Sequence, residues 1–229
     1  MARITPGGII LFDAVGTVLR PEPAVAEAYA AAGRDFGSRL KRAEIDARFR
    51  TVFAAEKQAD LRENAGRTDE PRERERWRAI VAAVFDDVDA ARHDALFDVL
   101  WNHFAQPENW RAFDEVGSTL TRLAAAGHTL GIASNFDSRL APIAAALVPE
   151  IPRERVFVSS LVGFRKPAVE FFRACERRLA EQCCVTDSFT LVGDDLDEDF
   201  HGAAAAGWNA ILLDRDGRHA NAIRSLSEL

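Results

Sequence analysis

The sequence predicts an α/β fold, namely a Rossmann-like, three-layer core with a parallel sheet, into which an α-helical cap is inserted. The first observation is a set of five short apolar runs. They predict strands, because strands buried on both faces of a parallel sheet are apolar throughout. The predicted strands span residues 9–12, 129–133, 156–158, 189–192 and 210–213. The second observation is that segments of helical length alternate with the last four runs, as in a doubly wound sheet.

The elements of the core can be read in order along the chain. The first strand follows Gly7-Gly8 and stops at Asp13, and Gly16-Thr17 predict a tight loop after it. The remaining strands are separated by predicted helices over residues 138–146, 168–180 and 199–206. Strand and helix therefore alternate through the second half of the chain.

Residues 21 to 112 differ from the rest, because they contain no run that predicts a buried strand and are rich in Ala, Arg and Glu. We predict helices there over residues 21–33, 40–57, 71–84 and 90–104, with breaks at 66–70 and at Pro107. Such an insert predicts a cap of residues 19–112 on a core of residues 1–18 and 113–229. Alternating charges over 72–78 predict a solvated helix face. The spacing of Trp77, Trp101 and Trp110 indicates packing within the cap.

Composition narrows the possible functions. The 229 residues are 48% hydrophobic and carry a formal net charge of −7, which disfavours a nucleic-acid or anionic-membrane partner. No apolar run approaches the ~20 residues needed to cross a bilayer, and the N-terminus lacks a signal-peptide pattern. Cys175, Cys183 and Cys184 show no zinc-ligand spacing and are expected to be reduced thiols. We expect a soluble, cytoplasmic protein, and the sequence leaves its oligomeric state open.

Polar residues follow four of the predicted strands. Asp13 follows the first, Ser134-Asn135 the second, Lys166 the third and Asp194 the fourth. Ligands of open parallel sheets bind beyond the carboxyl ends of the strands. Lys166 is one of only three lysines in the chain. These residues are therefore predicted to meet in one site.

The charges of such a site require a counterion. If Asp13, Asp194 and Asp199 converge, each close pair of carboxylates repels by ~4 kcal/mol at 4 Å and an effective dielectric of 20. Lys166 alone cannot neutralise three carboxylates, whereas a divalent cation can, and oxygen ligands with solvent favour Mg²⁺. Asp199 is expected to open the next helix, and Asp197 and Glu198 are expected to face solvent.

The ordered set of motifs resembles a known family. The motifs are Asp13-Ala14-Val15-Gly16-Thr17, Ser134, Lys166-Pro167, and Gly193-Asp194 with Asp199. They are similar to the four motifs of the haloacid dehalogenase (HAD) superfamily of hydrolases, and the match runs from residue 8 to about 214. The helical insert lies where subclass I of that family has its cap. The segment 134–137 and the region around Trp77 resemble, more loosely, the group called haloacid dehalogenase-like hydrolase domain-containing protein 3.

The resemblance implies a role for each matching residue. Asp13 would be the nucleophile that forms a covalent aspartyl intermediate. Ser134 would hydrogen-bond the transferring group, and Lys166 would orient Asp13 and offset charge in the transition state. Thr17 and Asn135 would contact a small-molecule substrate. Magnesium would be held by Asp13, the Val15 carbonyl, Asp194 and Asp199, with Asp195 as an alternative to Asp199.

One position departs from the phosphatases of this family. They carry a second aspartate two residues after the nucleophile, as general acid and base, where this chain has Val15. Loss of such a group slows a reaction by ~10²–10⁴-fold. The substrate would then be a small phosphorylated metabolite with a good leaving group, such as an acyl or aryl phosphate. Glu198 and His201 are near in sequence and are candidates to replace the missing acid.

Three alternatives stay open. A metal-independent 2-haloacid dehalogenase, acting on a halogenated acid, would use Ser134-Asn135 and a cap arginine for the halide. Candidates for that arginine are Arg42, Arg48 and Arg50. A phosphonatase would use a cap lysine as a Schiff base, either Lys57 or Lys41. A catalytically impaired binding or regulatory module is the third alternative.

Overall fold

A computed structural model describes residues 4–182, 184, 186 and 188–229, except for the side chain of residue 61. Its strands are β1 (Ile9–Phe12), β2 (Leu19–Pro21), β3 (Trp110–Ala112), β4 (Thr129–Ser134), β5 (Val156–Val158), β6 (Phe189–Gly193) and β7 (Asn209–Leu212). Five of them form one parallel sheet in the order β5-β4-β1-β6-β7. The predicted α/β class and the five predicted strands are confirmed.

Strand β1 lies at the centre of the sheet and is buried along its whole length. Ile10 of β1 is in register with Leu130 of β4 on one side and with Thr190 of β6 on the other. All three strands run in the same direction, so their carboxyl ends meet at one edge of the sheet. That edge is where Asp13 leaves β1.

Helices cover both faces of the sheet, as a three-layer core requires. The helices of the core are α5 (Val116–Ala125), α6 (Leu140–Leu147), α7 (Ser159–Val162), α8 (Val169–Glu181) and α9 (Gly202–Ala205). Ile10 and Phe12 pack into a hydrophobic cluster with α5 and α6, whereas Ile9 and Leu11 pack into a second cluster with α8. Successive side chains of a strand point to opposite faces, so β1 contributes to both clusters.

The inserted segment has its own hydrophobic cluster. Its helices are α1 (Val25–Asp35), α2 (Arg42–Asn64), α3 (Glu70–Val84) and α4 (His93–His103). Tyr29, Phe85 and Leu96 are buried together between these helices. The four helices predicted in the insert are confirmed, with ends that differ by up to seven residues. Residue bounds for cap and core stay a prediction.

Two local expectations are corrected by the structure. The sequence predicts no buried strand over 21–112, but residues 110–112 form strand β3, which pairs antiparallel with β2 where the insert joins the core. A three-residue strand is too short to show a two-residue periodicity. The predicted helix over 199–206 begins earlier, as a π-helical turn (Leu196–His201) that continues into α9. Asp195, and not Asp199, caps that turn, by accepting from the amides of Asp197 and Glu198.

The remaining sequence expectations concern cysteines and membranes. Cys175 is a buried free thiol, Cys184 is a partly buried free thiol, and Cys183 lies outside the described residues. Among the described helices, none combines the length and the apolar composition that crossing a bilayer requires. The cellular compartment stays a prediction.

The hydrophobic cluster of the inserted segment predicts the effect of a substitution in α4 on stability. Leu96 is fully buried, whereas Val99, on the same helix, is 47% exposed. Leu96→Ala should lower the free energy of unfolding by about 2–5 kcal/mol, because it removes buried methyl groups and leaves a cavity. Val99→Ala, the control, should change it by no more than about 0.5 kcal/mol. Urea unfolding followed by circular dichroism measures both, and equal losses in the two variants would contradict the packing described here.

Candidate active site

The carboxylate of Asp13 lies at the edge of the sheet because the backbone there is still paired. The amide of Asp13 donates to the carbonyl of Val192 at 2.8 Å, so β1 stays against β6 for one residue beyond the strand. Asp13 is buried but lines a cavity between the core and the inserted helices. The fold thus presents a rigidly held carboxylate to that cavity.

Lys166 is the cation that joins the motifs. Its Nζ donates to Asp13 Oδ1 at 2.7 Å, to Asp199 Oδ1 at 2.5 Å and to the carbonyl of Ala133 at 2.7 Å. An ammonium has three donors, so all of them are used. Burial opposes the charge of this side chain, which is 1% exposed, but the Asp13 and Asp199 carboxylates outweigh that effect and raise the pKa of Lys166. Lys166 is therefore charged and fixed in place.

A third carboxylate, Asp194, completes an acidic cluster. One oxygen from each of Asp13, Asp194 and Asp199 lies within 4.8 Å of the others. Asp194 keeps contact with solvent, yet the surrounding protein still desolvates it. This desolvation and the charges of Asp13 and Asp199 raise the pKa of Asp194. Burial likewise raises the pKa of Asp199, and Lys166 only partly offsets it. Three hard oxygen donors with one ammonium leave two negative charges, which suits a divalent cation of the magnesium type.

Two glycines allow this close approach. Gly16 has a φ of +91°, and a Cβ there would overlap the carboxylate of Asp194. A Cβ on Gly193 would overlap the carboxylate of Asp199. Both glycines stand in the motifs recognised in the sequence, and their absent side chains are what let Asp194 and Asp199 lie against the backbone.

Two residues expected to contact substrate form hydrogen bonds with other residues of the site. Thr17 is fully buried and its hydroxyl donates to Asp194 Oδ1 at 3.1 Å, so it positions Asp194 and does not reach the cavity. Asn135 exchanges two hydrogen bonds with the backbone of Lys166, at 2.9 and 2.8 Å. Asn135 does line the cavity, and substrate contact by its side chain stays a prediction. Ser134 is buried at the end of β4 and lines the cavity as well.

The acidic segment after β6 also binds the inserted helices. Lys57 of α2 lies 2.6 Å from Asp195 Oδ2 and 3.1 Å from Glu198 Oε1. Glu198 lines the cavity, which corrects the expectation that it faces solvent, whereas Asp197 is exposed as expected. Burial opposes the charge of Lys57, but Glu198 and Asp195 raise its pKa. A Schiff-base lysine must lose its proton, so this pairing disfavours the phosphonatase alternative. Lys41, the other candidate, is exposed.

The cavity has two chemically different ends. Its volume is about 350 Å³. The end at the sheet carries the acidic cluster, with Val15 beside it. Aromatic side chains line much of the rest, namely Tyr29, Phe49, Phe53, Trp77, Phe104, Trp110 and Phe136. Trp77 and Trp110 thus pack against neighbours, as predicted, and also line the cavity.

Arginines reach the cavity from the core and not from the predicted positions. Arg139 and Arg165 line it. The cap arginines proposed for a halide form ion pairs elsewhere and are not among the lining residues; they are Arg42 with Glu27, Arg48 with Asp86, and Arg50 with Asp46. The structure therefore does not place them for halide binding.

The charged run of α3 is not uniformly solvated, contrary to expectation. Glu73 and Arg76 are buried. Glu73 accepts from Arg165 at 2.8 Å and from Thr68 at 2.7 Å. The signal that sequence reasoning missed is the position of Arg165 directly before Lys166, since it brings a second cation to the same loop.

A family profile described as haloacid dehalogenase-like hydrolase matches residues 8–207. The chain belongs to this family. A curated relative, haloacid dehalogenase-like hydrolase domain-containing protein 3 of Danio rerio, is 29% identical over 214 residues, which cover 91% of this chain and 86% of the relative. The recognition made from the motifs is confirmed.

Solved structures show how widely the fold of this HAD-like hydrolase is shared. The HAD-hydrolase YfnB from Bacillus subtilis, bound to magnesium, has a TM-score of 0.74 at 22% identity over 96% of this chain and 95% of that one. A HAD phosphatase from Thermococcus onnurineus has a TM-score of 0.60 at 24% identity, with the same coverage. A 2-haloacid dehalogenase from Pseudomonas syringae has a TM-score of 0.58 at 20% identity, again with the same coverage. Phosphatase and dehalogenase share this fold, so the side chains must distinguish them.

The acidic cluster predicts that Asp194→Asn makes the protein more stable than wild type without metal and less stable than wild type with metal. Without metal, Asp194→Asn should relieve about 1 kcal/mol of repulsion, less than the ~4 kcal/mol of a buried pair because solvent screens Asp194. The melting temperature should rise by about 2–4 °C. With Mg²⁺ at about 100 times its Kd, the wild type should gain about 2.7 kcal/mol, and the variant should lose most of that gain.

Asp197→Asn is the matched control, since Asp197 is an exposed carboxylate of the same loop. It should change neither measurement. Differential scanning calorimetry with chelator and with Mg²⁺ measures both effects. A variant that is less stable than wild type in chelator, or that keeps its full gain with Mg²⁺, would contradict the prediction that Asp194 is a metal ligand.

Proposed function

We propose that this HAD-like hydrolase is a magnesium-dependent phosphohydrolase that acts through an aspartyl-phosphate on Asp13. The observation that supports this most is the pairing of Lys166 with both Asp13 and Asp199, beside Asp194, at the carboxyl ends of adjacent strands. With only one ammonium beside them, three converging carboxylates keep two negative charges and repel a substrate anion unless a further cation lies among them. The donor set therefore suits metal-assisted transfer of a phosphoryl group better than reaction with a free anion.

The residues at the sheet edge divide the work of the reaction. The Asp13 carboxylate attacks phosphorus, and Lys166 orients it and offsets the charge that develops on the transferring group. Ser134, at the end of β4, is assigned to hydrogen-bond that group. Thr17 and Asn135 hold Asp194 and Lys166 in position.

Magnesium would be held by Asp13 and Asp194, with Asp199 and the Val15 carbonyl completing the proposed set. When bound, it polarises the phosphoryl oxygens and balances their charge. Asp195 is left out of this set, because its carboxylate caps the π-helical turn and pairs with Lys57.

Val15 determines which substrates can react well. It is 36% exposed and lines the cavity where a phosphatase of this family carries its general acid. Valine cannot protonate a departing alkoxide, so a leaving group that is stable as an anion is favoured. Of the two candidate replacements, Glu198 lines the cavity, whereas His201 is exposed and is not among the lining residues.

The nucleophile generates the first functional prediction. Wild-type protein with Mg²⁺ should hydrolyse acetyl phosphate, whose leaving carboxylate needs no proton. Asp13→Asn should reduce the release of phosphate to background, because an amide is a poor nucleophile. Asp197→Asn should retain wild-type kcat, and beryllofluoride, a mimic of the phosphoryl group, should bind to wild type only with Mg²⁺.

Other outcomes of this assay assign the alternatives. Chloride release from 2-chloropropionate that persists in chelator and stops in Asp13→Asn would support the dehalogenase instead. No turnover of either compound, together with no binding of beryllofluoride, would leave the binding-module alternative.

A second prediction concerns the missing acid. Val15→Asp should raise kcat/KM for an alkyl ester such as glycerol phosphate by about 10²-fold or more, because it restores a proton donor two residues after Asp13. Val15→Asn introduces a side chain of the same shape as aspartate but without an ionisable proton. It should give no such gain. Equal gains in the two variants would show that the wild type lacks a polar group at position 15, and not a proton donor.

A further inference from the structure

We propose that the aromatic end of the cavity binds an uncharged aromatic leaving group, so that the substrates are aryl phosphate monoesters. This inference rests on the proposed function and adds the substrate class to it. Two independent features support it, namely the aromatic walls with their paired charges and the absence of a proton donor at Val15.

The rings of the inserted helices form one continuous surface. Phe49 and Phe53 are stacked with their centroids 5.6 Å apart, and Trp77 lies 6.5 Å from Phe49 and 5.8 Å from Phe53. Tyr29 meets Phe49 edge-on at 5.3 Å. All four line the cavity. Rings already held by their neighbours lose little conformational freedom on binding, and they favour an aromatic guest by stacked or edge-on contact.

The size of the cavity limits the guest. At about 350 Å³ it is near the lower end of the range of small-molecule sites, which runs from about 300 to 1,000 Å³. A phosphoryl group at the sheet edge occupies part of this volume. The remainder suits a compact group of one or two rings.

The charges at the cavity walls exclude a charged guest at this end. Arg139 forms a two-pronged ion pair with Asp137, both hydrogen bonds being 2.7 Å, and its guanidinium lies over the ring of Trp101. Arg165 is bonded to Glu73. Both arginines that line the cavity, among the described residues, are therefore already neutralised. A carboxylate or second phosphate on the leaving group would find no free cation there.

Arg76 is the charge that most needs to be considered. It lies against Phe53 and Trp77, and its Nε and Nη2 have no hydrogen-bond partner among the described residues. It is not among the residues that line the cavity. Its guanidinium backs the aromatic surface, so an anionic guest shows whether Arg76 can attract a negative charge through it.

Cleavage of the bond between phosphorus and the ester oxygen also favours aryl phosphate monoesters. Asp13 forms a bond to phosphorus, the bond from phosphorus to the ester oxygen breaks, and that oxygen departs with the bonding pair. A phenolate has a conjugate-acid pKa of about 10, as in tyrosine, so it departs without a proton from the protein. Water then attacks the phosphorus of the intermediate, which restores Asp13 and releases inorganic phosphate. The phenolate takes its proton from solvent.

Binding and turnover test the two features separately. With Mg²⁺ present, calorimetry should show phenylphosphonate binding to wild type about tenfold more tightly than methylphosphonate, because only the former reaches the rings. Phenyl phosphate should be hydrolysed with a kcat/KM about 10² times that of benzyl phosphate, which has the ring but an alkoxide leaving group. The 4-carboxyphenyl phosphate should have a KM well above that of phenyl phosphate.

Variants locate the effect in the aromatic wall. Phe53→Leu and Trp77→Leu should each weaken the binding of phenylphosphonate about threefold to tenfold relative to the binding of methylphosphonate. Phe36→Leu is the matched control, since Phe36 is a partly buried ring of the same insert that does not line the cavity. It should leave that ratio unchanged.

The outcomes distinguish this inference from the proposed function. Equal affinity for the two phosphonates, or preference for the carboxylated ester, would overturn the inference while hydrolysis of acetyl phosphate still upheld the phosphohydrolase. Failure to hydrolyse acetyl phosphate would overturn the proposed function, and the phosphonate ratio in wild type and variants would then decide the aromatic preference alone.

Discussion

A single buried ammonium holds this site together. Lys166 is the only described cation that contacts both Asp13 and Asp199, and its third donor is taken by the main chain of β4. Buried carboxylates are tolerated when they are paired and hydrogen-bonded. Because no donor of Lys166 is left over, it cannot turn to another acceptor without releasing one of these partners. The relative positions of three sequence motifs therefore follow from one side chain.

The core and the acidic cluster were predictable because their signals are local. A strand such as Ile9–Phe12 is apolar throughout because both of its faces are covered, and this is visible in four consecutive letters. Parallel strands end at one edge, so Asp13 and Asp194 could be placed together from the strand pattern alone. Gly16 and Gly193 reinforce this, since each marks a point where a carboxylate lies against the backbone.

The buried charges of the inserted helices and the lining of the cavity were not predictable in the same way. The alternating charges of α3 indicate a solvated face, yet Glu73 is buried because Arg165, 92 positions away, folds back onto it. Thr17 donates to Asp194 and Asn135 donates to the backbone of Lys166, and nothing in their motifs indicates these hydrogen bonds. Such partnerships depend on tertiary distances that no short pattern contains.

The contact between Lys57 and the acidic segment bears on product release in the proposed phosphohydrolase. Lys57 belongs to the inserted helices, whereas Asp195 and Glu198 belong to the same segment as Asp194 and Asp199. If the inserted helices moved away from the core, Asp195 and Glu198 would lose their counterion while still lining the cavity. In the proposed phosphohydrolase, a newly freed orthophosphate would then meet one more net negative charge than when Lys57 is in place, so withdrawal of the inserted helices would itself favour egress of the product.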